Sequence, residues 1–420
     1  MRLIPRTKQF YKFCAYGFLK NLRLFDAFFL LFLLENGLPY LQIGILYTIR
    51  QITIYIWEVP SGLIADALGR KKTLLFSLAA YLISFILFFI SNIFPFFALA
   101  MVSYGIGEAF RSGTHKAMIL EYLRLNDLTD LKTRYYGATR SWSQLGSAVS
   151  SLLAMGVVLT GQNYKQLFLF TAIPYLLDFI NIATYPAELD KSHGATGNPI
   201  LLRSVGDRFR QTWQNFKNIF RHKESVRAIF SAASYIAIYK GAKDYIQPMI
   251  QTAALSMPFF IEADDSKRTA VLVGIIYFCL YLLSSFASRN AWRFENSFKP
   301  LSRSINIAYL AGVTAIALSG IFLSFKYTAA AIIVFIFIYI LQNIRRPLVV
   351  SYLSEVIPSR VMASGLSAES QLETIVLAIF APLLGFMADQ WGLAAALVIS
   401  GLLFLSLFPF VRLKEKAIIE

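Results

Sequence analysis

Apolar residues occur in twelve long stretches, each close to the length that an α-helix needs to cross a membrane. A hydrocarbon core of about 30 Å requires about 20 residues at a rise of about 1.5 Å per residue. The predicted spans are 15–36, 41–63, 73–93, 96–121, 136–160, 166–187, 228–254, 268–288, 303–323, 328–354, 361–387 and 393–412. This pattern predicts an all-α membrane protein with twelve transmembrane helices.

The composition of the 420-residue chain agrees with that prediction and excludes several soluble classes. Hydrophobic residues make up 57% of the chain and charged residues 15%, against about 25% in soluble proteins. A disordered polybasic protein lacks this apolar content. A nucleic-acid binder would explain 40 Lys and Arg against 24 Asp and Glu, but it would not explain 37 Phe.

Basic residues are distributed unequally between the two sides of the predicted spans. The side that holds both termini carries 26 Lys and Arg residues, and the opposite side carries four. Because basic loops stay on the cytoplasmic side, both termini are predicted to be cytoplasmic. We therefore expect a multi-pass protein of the plasma (cytoplasmic or inner) membrane.

A polar segment at 188–227 separates six spans from six. Its second part carries apolar residues at helical spacing, with basic residues between them, which predicts an amphipathic helix. That helix is expected either to lie in the inner leaflet or to pack beneath the helical domains. The apolar positions are Leu201, Val205, Phe209, Trp213, Phe216 and Phe220. The predicted domains are an N-terminal bundle at 1–187, a linker at 188–227 and a C-terminal bundle at 228–420.

The two halves of the chain resemble each other weakly. The end of the fourth span carries the run from Arg111 to Glu121, and the tenth span has a similar run from Arg346 to Glu355. A Gln-Leu pair follows in each half, at 144–145 and at 371–372. Internal repetition in a membrane protein predicts two pseudo-symmetric six-helix bundles around a central site.

The loop between spans 2 and 3 carries the most specific motif of the sequence. Residues 58–72 read EVPSGLIADALGRKK. This resembles the signature loop of the major facilitator superfamily, G-x-x-x-D-x-x-G-R-[RK], in the bacterial subgroup that begins with E-x-P-S. The resemblance extends over the whole chain, since the span number, the central loop and the internal repeat are also those of the family.

The resemblance implies a conformational gate rather than a substrate site at this loop. The gate residues would be Gly62, Asp66, Gly69, Arg70 and Glu121. Asp66 would meet the start of span 11, and Arg70 would reach Glu121 at the end of span 4. The two glycines permit a tight turn and close helix approach. The alternative is a basic turn that only enforces topology.

Ionisable residues at membrane depth are costly and usually face a cavity, pair with each other or carry protons. The candidate proton sites are Asp26, Glu369 and Glu373. Asp26 lies at a depth similar to that of Arg50, so a structural ion pair is the alternative there. Glu369 and Glu373 share one helix face at i, i+4, where two like charges make one carboxyl easier to protonate.

The remaining buried charges define a candidate substrate cavity. Its basic surplus favours an anionic, zwitterionic or amphipathic solute, and an internally paired charge network is the alternative. The candidate residues are Arg50, Glu108, Arg111, His115, Arg140, Lys240, Lys243, Arg345 and Arg346.

These observations predict secondary active transport of a small organic solute by alternating access, coupled to protons as a symporter or an antiporter. No metal-ligand spacing, phosphate-binding loop or nucleophile motif occurs, so neither a cofactor nor an enzymatic activity is expected. The expected partners are the solute, protons and the lipid bilayer, without nucleic acid and with the protein as a monomer. The alternatives are a lipid or lysolipid flippase, a multidrug exporter, and a non-transporting receptor or scaffold.

The gate assignment predicts the effect of Asp66→Asn. We expect slower transport in proteoliposomes with little change in solute affinity, because a gate residue controls conformational exchange rather than binding. A large loss of affinity with an unchanged maximal rate would instead place Asp66 in the binding site.

Overall fold

A computed structural model of the chain describes residues 5–190, 223–258, 264–357 and 362–414, apart from the side chains at 59, 66, 130, 132–134, 136 and 362–364. Every regular element in this part of the chain is helical. The prediction of an all-α protein is therefore confirmed. The predicted amphipathic helix between Leu201 and Phe220 lies outside the described residues.

The described residues form fifteen α-helices, numbered here in chain order. The first eight are α1 (Lys8–Lys20), α2 (Phe29–Glu35), α3 (Tyr40–Leu68), α4 (Arg70–Ile90), α5 (Phe94–Arg111), α6 (Thr114–Leu125), α7 (Lys132–Leu159) and α8 (Gln166–Ala183). The others are α9 (Lys223–Ala242), α10 (Ile246–Ser256), α11 (Asp265–Arg289), α12 (Ala291–Ser297), α13 (Leu301–Ser324), α14 (Thr328–Val356) and α15 (Met362–Val411).

Three of the predicted spans are broken helices, and each break lies among charged residues. The first span is interrupted between Lys20 and a 3-10 turn at Asp26–Phe28. The fourth is interrupted after Arg111, where Gly113 has a φ of 77°. The seventh is interrupted by a 3-10 turn at Lys243–Tyr245. Irregular backbone at membrane depth is tolerated only where it is buried in protein or lines a cavity, so these breaks mark candidate functional regions.

Seven helices of the described chain are long and apolar enough to cross a membrane. The three breaks leave shorter pieces, and the number of twelve spans remains a prediction. Helix α15 contains Gly392, whose φ of 81° and ψ of 161° are non-helical. This turn lies between the predicted ends of spans 11 and 12, which the sequence places at 387 and 393.

The helices pack into two compact units. The first unit holds the described residues of Met1–Asn36, Ile49–Leu202 and Phe259–Tyr281. The second unit holds those of Gly37–Thr48, Arg203–Pro258 and Leu282–Glu420. Helices α3 and α11 therefore contribute residues to both units.

An aromatic cluster forms the core of the first unit. The Phe168 ring stacks on Phe25, with ring centroids 4.7 Å apart, and on Phe88, with centroids 4.9 Å apart. Phe32 meets Phe168 edge to face at 4.8 Å. Such aromatic pairs contribute about 0.5–1.5 kcal/mol beyond their buried area. This packing fixes the segment that follows the break in the first span.

Small polar residues join α4 to α5 in the same unit. The hydroxyl of Ser77 donates to the carbonyl of Gly107 at 2.7 Å, and that of Ser84 donates to Ala100 at 2.8 Å. From the other side, Ser103 donates to the carbonyl of Ala80 at 2.8 Å. Small side chains allow close backbone approach between membrane helices. The contacts hold the end of α5 in place, next to the break at Gly113.

In the second unit, the first turns of α3 approach α15 with no space for side chains. A Cβ on Gly44 would lie 2.3 Å from the carbonyl oxygen of Ala381, and one on Gly385 would lie 2.2 Å from that of Tyr40. The carboxylate of Asp389 accepts hydrogen bonds from the backbone N–H groups of Tyr40 and Leu41, at 2.9 and 2.8 Å. It therefore caps the N-terminus of α3.

This close approach predicts a loss of stability in Gly385→Ala. We expect a lower thermal unfolding midpoint in detergent, with a loss of about 1–3 kcal/mol, because the new methyl group meets backbone that cannot move aside. The matched control is Gly156→Ala, where a Cβ meets nothing within 4 Å in the described chain. That control should be neutral or more stable by up to about 1 kcal/mol. Equal midpoints for both variants would contradict the packing.

Candidate functional site

The predicted cavity and proton residues lie in two separate groups, one within each unit. The convergence of both groups on a single solute remains a prediction. The first unit holds Asp26, Arg50, Glu108, Arg111, His115 and Arg140. The second unit holds Lys240, Lys243, Arg345, Arg346, Glu369 and Glu373.

Glu108 is the centre of the charge network in the first unit. It forms an ion pair with Arg111, one turn further along the helix, as the i, i+3 spacing predicts. It also accepts a hydrogen bond from the Tyr81 hydroxyl at 3.0 Å, and a guanidinium nitrogen of Arg23 lies 3.8 Å from it. Arg23 in turn donates to the Tyr175 hydroxyl at 2.9 Å. One carboxylate thus lies between two guanidinium groups.

Arg50 faces an aromatic ring. Its guanidinium carbon lies 5.9 Å from the centroid of Tyr104, and that of Arg23 lies 5.6 Å from the same ring. Two cations therefore share one aromatic partner, which is a favourable but modest interaction. The ion pair between Asp26 and Arg50 remains a prediction.

A cavity of about 170 Å³ opens in the first unit, beside the breaks after Lys20 and Arg111. Four of the twelve described residues that line it are Lys or Arg, and none is Asp or Glu. Helix α6 begins at this wall, at Gly113, and no side chain caps its N-terminus. The charged and hydroxyl-bearing residues at the cavity are Tyr16, Lys20, Arg111, His115, Lys116, Thr139, Arg140 and Ser143.

His115 is held firmly in the wall of this cavity. Its ring is buried and stacks on Tyr16, with centroids 3.6 Å apart and an interplanar angle of 18°. Its Nε2 atom lies 3.3 Å from the Tyr185 hydroxyl, within hydrogen-bond distance. These contacts favour a hydrogen-bonded structural histidine over a proton relay.

In the second unit, each candidate carboxylate has one cationic partner. Glu373 forms an ion pair with Lys240, and Glu369 forms one with Arg346. Both carboxylates are buried, whereas the Lys240 and Arg346 side chains are 38% and 44% exposed. One oxygen of Glu369, Oε2, has no hydrogen-bond partner among the described residues. The pairs therefore join a buried acid to a cation at the edge of open space.

Asp244 lies at the break between α9 and α10. Its carboxylate pairs with Lys243 at 2.7 Å and accepts a hydrogen bond from the Tyr47 hydroxyl at 3.0 Å. The carbonyl of Lys243 accepts a hydrogen bond from Tyr339 at 2.6 Å. Both the side chains and the backbone at this break thus have partners within the unit.

Arg345 differs from these residues because hydroxyl, carbonyl and aromatic groups surround its charge. Only 1% of its surface is exposed, and its Nη2 atom donates to the carbonyl and hydroxyl of Ser231 at 2.7 and 2.8 Å. Its guanidinium carbon lies 4.6 Å from the ring centroid of Tyr235 and 5.5 Å from that of Tyr309. Arg345 is therefore packed in the core of the second unit, and its role at a substrate cavity remains a prediction.

The predicted gate loop is held by a residue that the sequence did not single out. The carboxylate of Asp190 accepts a hydrogen bond from the backbone N–H of Lys71 at 2.7 Å, at the start of α4. Gly69 has a φ of 104°, and a Cβ there would lie 2.5 Å from an Asp190 oxygen. Gly69 is thus required for a turn and a close approach, whereas a Cβ on Gly62 would meet nothing within 4 Å in the described chain.

Arg70 and Glu121 have other partners among the described residues. The Arg70 guanidinium donates to the carbonyl of Ala117 at 3.4 Å, one turn before Glu121. Glu121 forms an ion pair with Arg124 at 2.7 Å, and this hydrogen bonding raises the pKa of the exposed Arg124 guanidinium above its ordinary value. The contact between Arg70 and Glu121 remains a prediction. The Asp66 side chain lies outside the described residues.

Two cationic cavity residues were absent from the predicted set, namely Lys20 and Lys116. An unbroken first span would let the Lys20 side chain extend to the membrane edge. A helix that ends at Lys20 places this side chain at the cavity instead. The polar run around residues 20–26 was the available signal for that break.

Metal and disulfide chemistry have no support in the described part of the chain. No group of three or more His, Cys, Asp or Glu side chains is arranged there for a metal ion. Cys14 is buried and Cys279 is exposed, and both are free thiols.

Comparison with known proteins gives two relatives, one named as a transporter and one as a permease. An "Uncharacterized MFS-type transporter YxaM" from Bacillus subtilis (strain 168) is 22% identical over 400 residues, covering 93% of this chain and 91% of the relative. A sucrose permease from Escherichia coli is 23% identical over 326 residues, covering 69% of this chain and 74% of the relative.

Solved structures of transporters share the fold. The nucleoside transporter NupG matches with a TM-score of 0.72 at 13% identity, covering 97% of both chains. A D-xylose–proton symporter matches with a TM-score of 0.67 at 12% identity, covering 97% of this chain and 98% of that one. The sequence model described as Major Facilitator Superfamily matches residues 16–370. The chain therefore belongs to the Major Facilitator Superfamily of membrane transporters.

Proposed function

We propose that the protein is a proton-coupled secondary transporter that moves a small anionic organic solute across the plasma membrane by alternating access. The observation that carries this proposal is the basic cavity of the first unit. It is open, it is lined by cations from several helices, and no carboxylate among the described residues lines it. Such a site attracts an anionic group and repels a cation.

The relatives support the general class of solute. Their names concern sucrose, nucleosides and D-xylose, which are all small organic molecules. The last is named as a proton symporter. We extend to this chain the transport of a small organic solute and the use of a proton gradient, but not the sugar or nucleoside specificity, because those solutes do not require a basic cavity.

The second unit supplies candidate groups for proton coupling. Glu369 and Glu373 are buried one turn apart, and each forms an ion pair with a nearby cation. A buried carboxylate binds a proton when its cation moves away, because an isolated charge is costly in a low dielectric. A conformational change that separates Arg346 from Glu369 would thus take up a proton. Asp26 is the corresponding candidate in the first unit.

The alternatives make different demands on the cavity. A non-transporting scaffold would fill it with side chains, and the open space beside Lys20 and Arg111 speaks against that. A lipid or lysolipid flippase, or a multidrug exporter, would favour an aromatic lining. Phe13 and Tyr16 are the aromatic rings at this cavity, whereas its charged side chains are all basic. We further propose cytoplasmic termini and a monomeric transporter.

Proton coupling predicts a selective defect in Glu369→Gln and Glu373→Gln. In proteoliposomes with an imposed pH gradient, we expect gradient-driven uptake to fall about tenfold or more, since glutamine cannot exchange a proton. Exchange of solute at equal pH on both sides should persist, because it needs no net proton movement. The measurement uses a panel of small carboxylates, phosphate monoesters and neutral sugars, with an internal pH dye as a second readout.

The control is Glu224→Gln, which removes an exposed carboxylate from the same unit. It should behave like the wild-type protein in both assays. Gradient-driven uptake that survives in the Glu369, Glu373 and Asp26→Asn variants alike would rule out these proton sites. Uptake that ignores the gradient in the wild type would exclude proton coupling itself.

A further inference from the structure

We propose that the basic cavity of the first unit selects small organic dianions, such as phosphate monoesters or dicarboxylates, over monoanions of the same shape. This inference rests on the proposed transport function, because it names the solute class of the same site. It follows from three features of the cavity, namely its net charge, the direction of its cations and its size.

The cavity region carries an excess of at least two positive charges. Four cations and two carboxylates either line the cavity or interact electrostatically with residues that line it. Asp26 and Arg50 add one charge of each sign. The cations are Lys20, Arg23, Arg111 and Arg140, and the carboxylates are Glu108 and Asp178. The excess is two, before Lys116 is counted.

The two carboxylates cannot remove this excess because their negative charges are already counted in it. Glu108 is shared by Arg23 and Arg111. Asp178 is fully buried and accepts a hydrogen bond from Asn181 at 3.2 Å. Lys20 has a cation–π contact at 5.6 Å with Tyr16, and it forms no ion pair with any residue in the described ranges. The surplus therefore remains with the cavity.

The cations reach the cavity from different directions. Lys20 comes from the end of α1, Arg111 from the end of α5 and Arg140 from α7. The uncapped start of α6 adds backbone N–H groups and the positive end of its dipole. A planar carboxylate can bind to a single guanidinium group. Cations that converge from several sides suit a phosphate group, whose oxygens point in several directions, or a dicarboxylate, whose two carboxylates are separated.

The size of the cavity limits the solute to a compact one. Its volume of about 170 Å³ is below the roughly 300–1,000 Å³ of pockets for drug-sized ligands. A monoanion would leave one of the two surplus positive charges without compensation. A dianion completes the charge balance, and this difference is the proposed basis of selection.

The test compares two isosteric ligands that differ by one charge. Ethyl phosphate is a dianion at about pH 8, above the second phosphate pKa of about 6, whereas ethyl sulfate keeps a single charge. Full-length protein in detergent is titrated with each, and the shift in thermal unfolding midpoint reports binding. We expect ethyl phosphate to bind at least about tenfold more tightly. Succinate and its monoamide form the second pair, which separates dicarboxylates from phosphate monoesters.

Substitutions locate the binding in the cavity. Lys20→Gln and Arg140→Gln should each weaken the dianion about tenfold and reduce the preference over the monoanion. Lys8→Gln is the matched control, because it removes an exposed lysine from the other end of the same helix. If a cavity variant fails to fold, the comparison of each dianion with its monoanion on the wild-type protein still tests the proposal.

The outcomes separate this inference from the proposed function. Selective dianion binding that depends on Lys20 and Arg140 supports the inference, even if proteoliposomes show no uptake and the transport proposal fails. The inference is overturned if ethyl sulfate and the succinate monoamide are transported as well as the dianions. That result would leave the transport proposal intact. An equal effect of Lys8→Gln and Lys20→Gln also overturns it.

Discussion

The placement of one carboxylate, Glu108, between two guanidinium groups organises the first unit. An isolated charge inside a helical bundle costs several kcal/mol, so Glu108 requires cations close by. Arg111 meets this need from the next turn of the same helix, and Arg23 meets it from the interrupted first span. Because one carboxylate neutralises one cation, the second positive charge persists. The hydroxyls of Tyr81 and Tyr175 satisfy the remaining hydrogen-bonding groups, and the surplus charge becomes a property of the neighbouring cavity.

In the second unit, each buried carboxylate of α15 is neutralised by one cation. Arg346 and Lys240 each take a carboxylate from α15, and Arg345 is held by tyrosine rings and Ser231. Arg111 and Arg346 occupy equivalent places in the weak internal repeat. Both bind a glutamate, but that glutamate comes from the same helix in one unit and from a different helix in the other. The two arginines of the weak repeat, Arg111 and Arg346, therefore lie in different electrostatic environments.

Local patterns in the sequence were sufficient for the long uninterrupted helices and for contacts within one helix. The apolar stretches predict the long helices, and the i, i+3 spacing predicts the pair of Glu108 and Arg111. The separation of the last two spans is marked by Gly392, whose positive φ favours glycine. In each case the physical cause acts over a few residues, so it can be read along the chain.

Contacts between distant segments required the structure. The partners of Glu369 and Glu373 depend on how α9 and α14 pack against α15, which periodicity does not specify. The break at Gly113 lies in a polar run, residues 111–116, that the prediction placed inside the fourth span. The position of the Lys20 side chain depends on where α1 ends. Each of these residues obtains its role from a backbone interruption or a helix neighbour rather than from its immediate sequence.

The hydrogen bonds of Asp190 have a consequence for mutational studies, because Asp190 supplies acceptors for backbone N–H groups in the first turn of α4. Its side chain and its carbonyl receive the N–H groups of Lys71 and Arg70, although Lys71 lies 119 positions earlier in the chain. The signature loop is therefore joined by hydrogen bonds to the segment that follows α8. The effects of substitutions in the loop and at Asp190 on stability should be non-additive. Second-site mutations that suppress a defect in the loop should occur near Asp190 as often as within the loop.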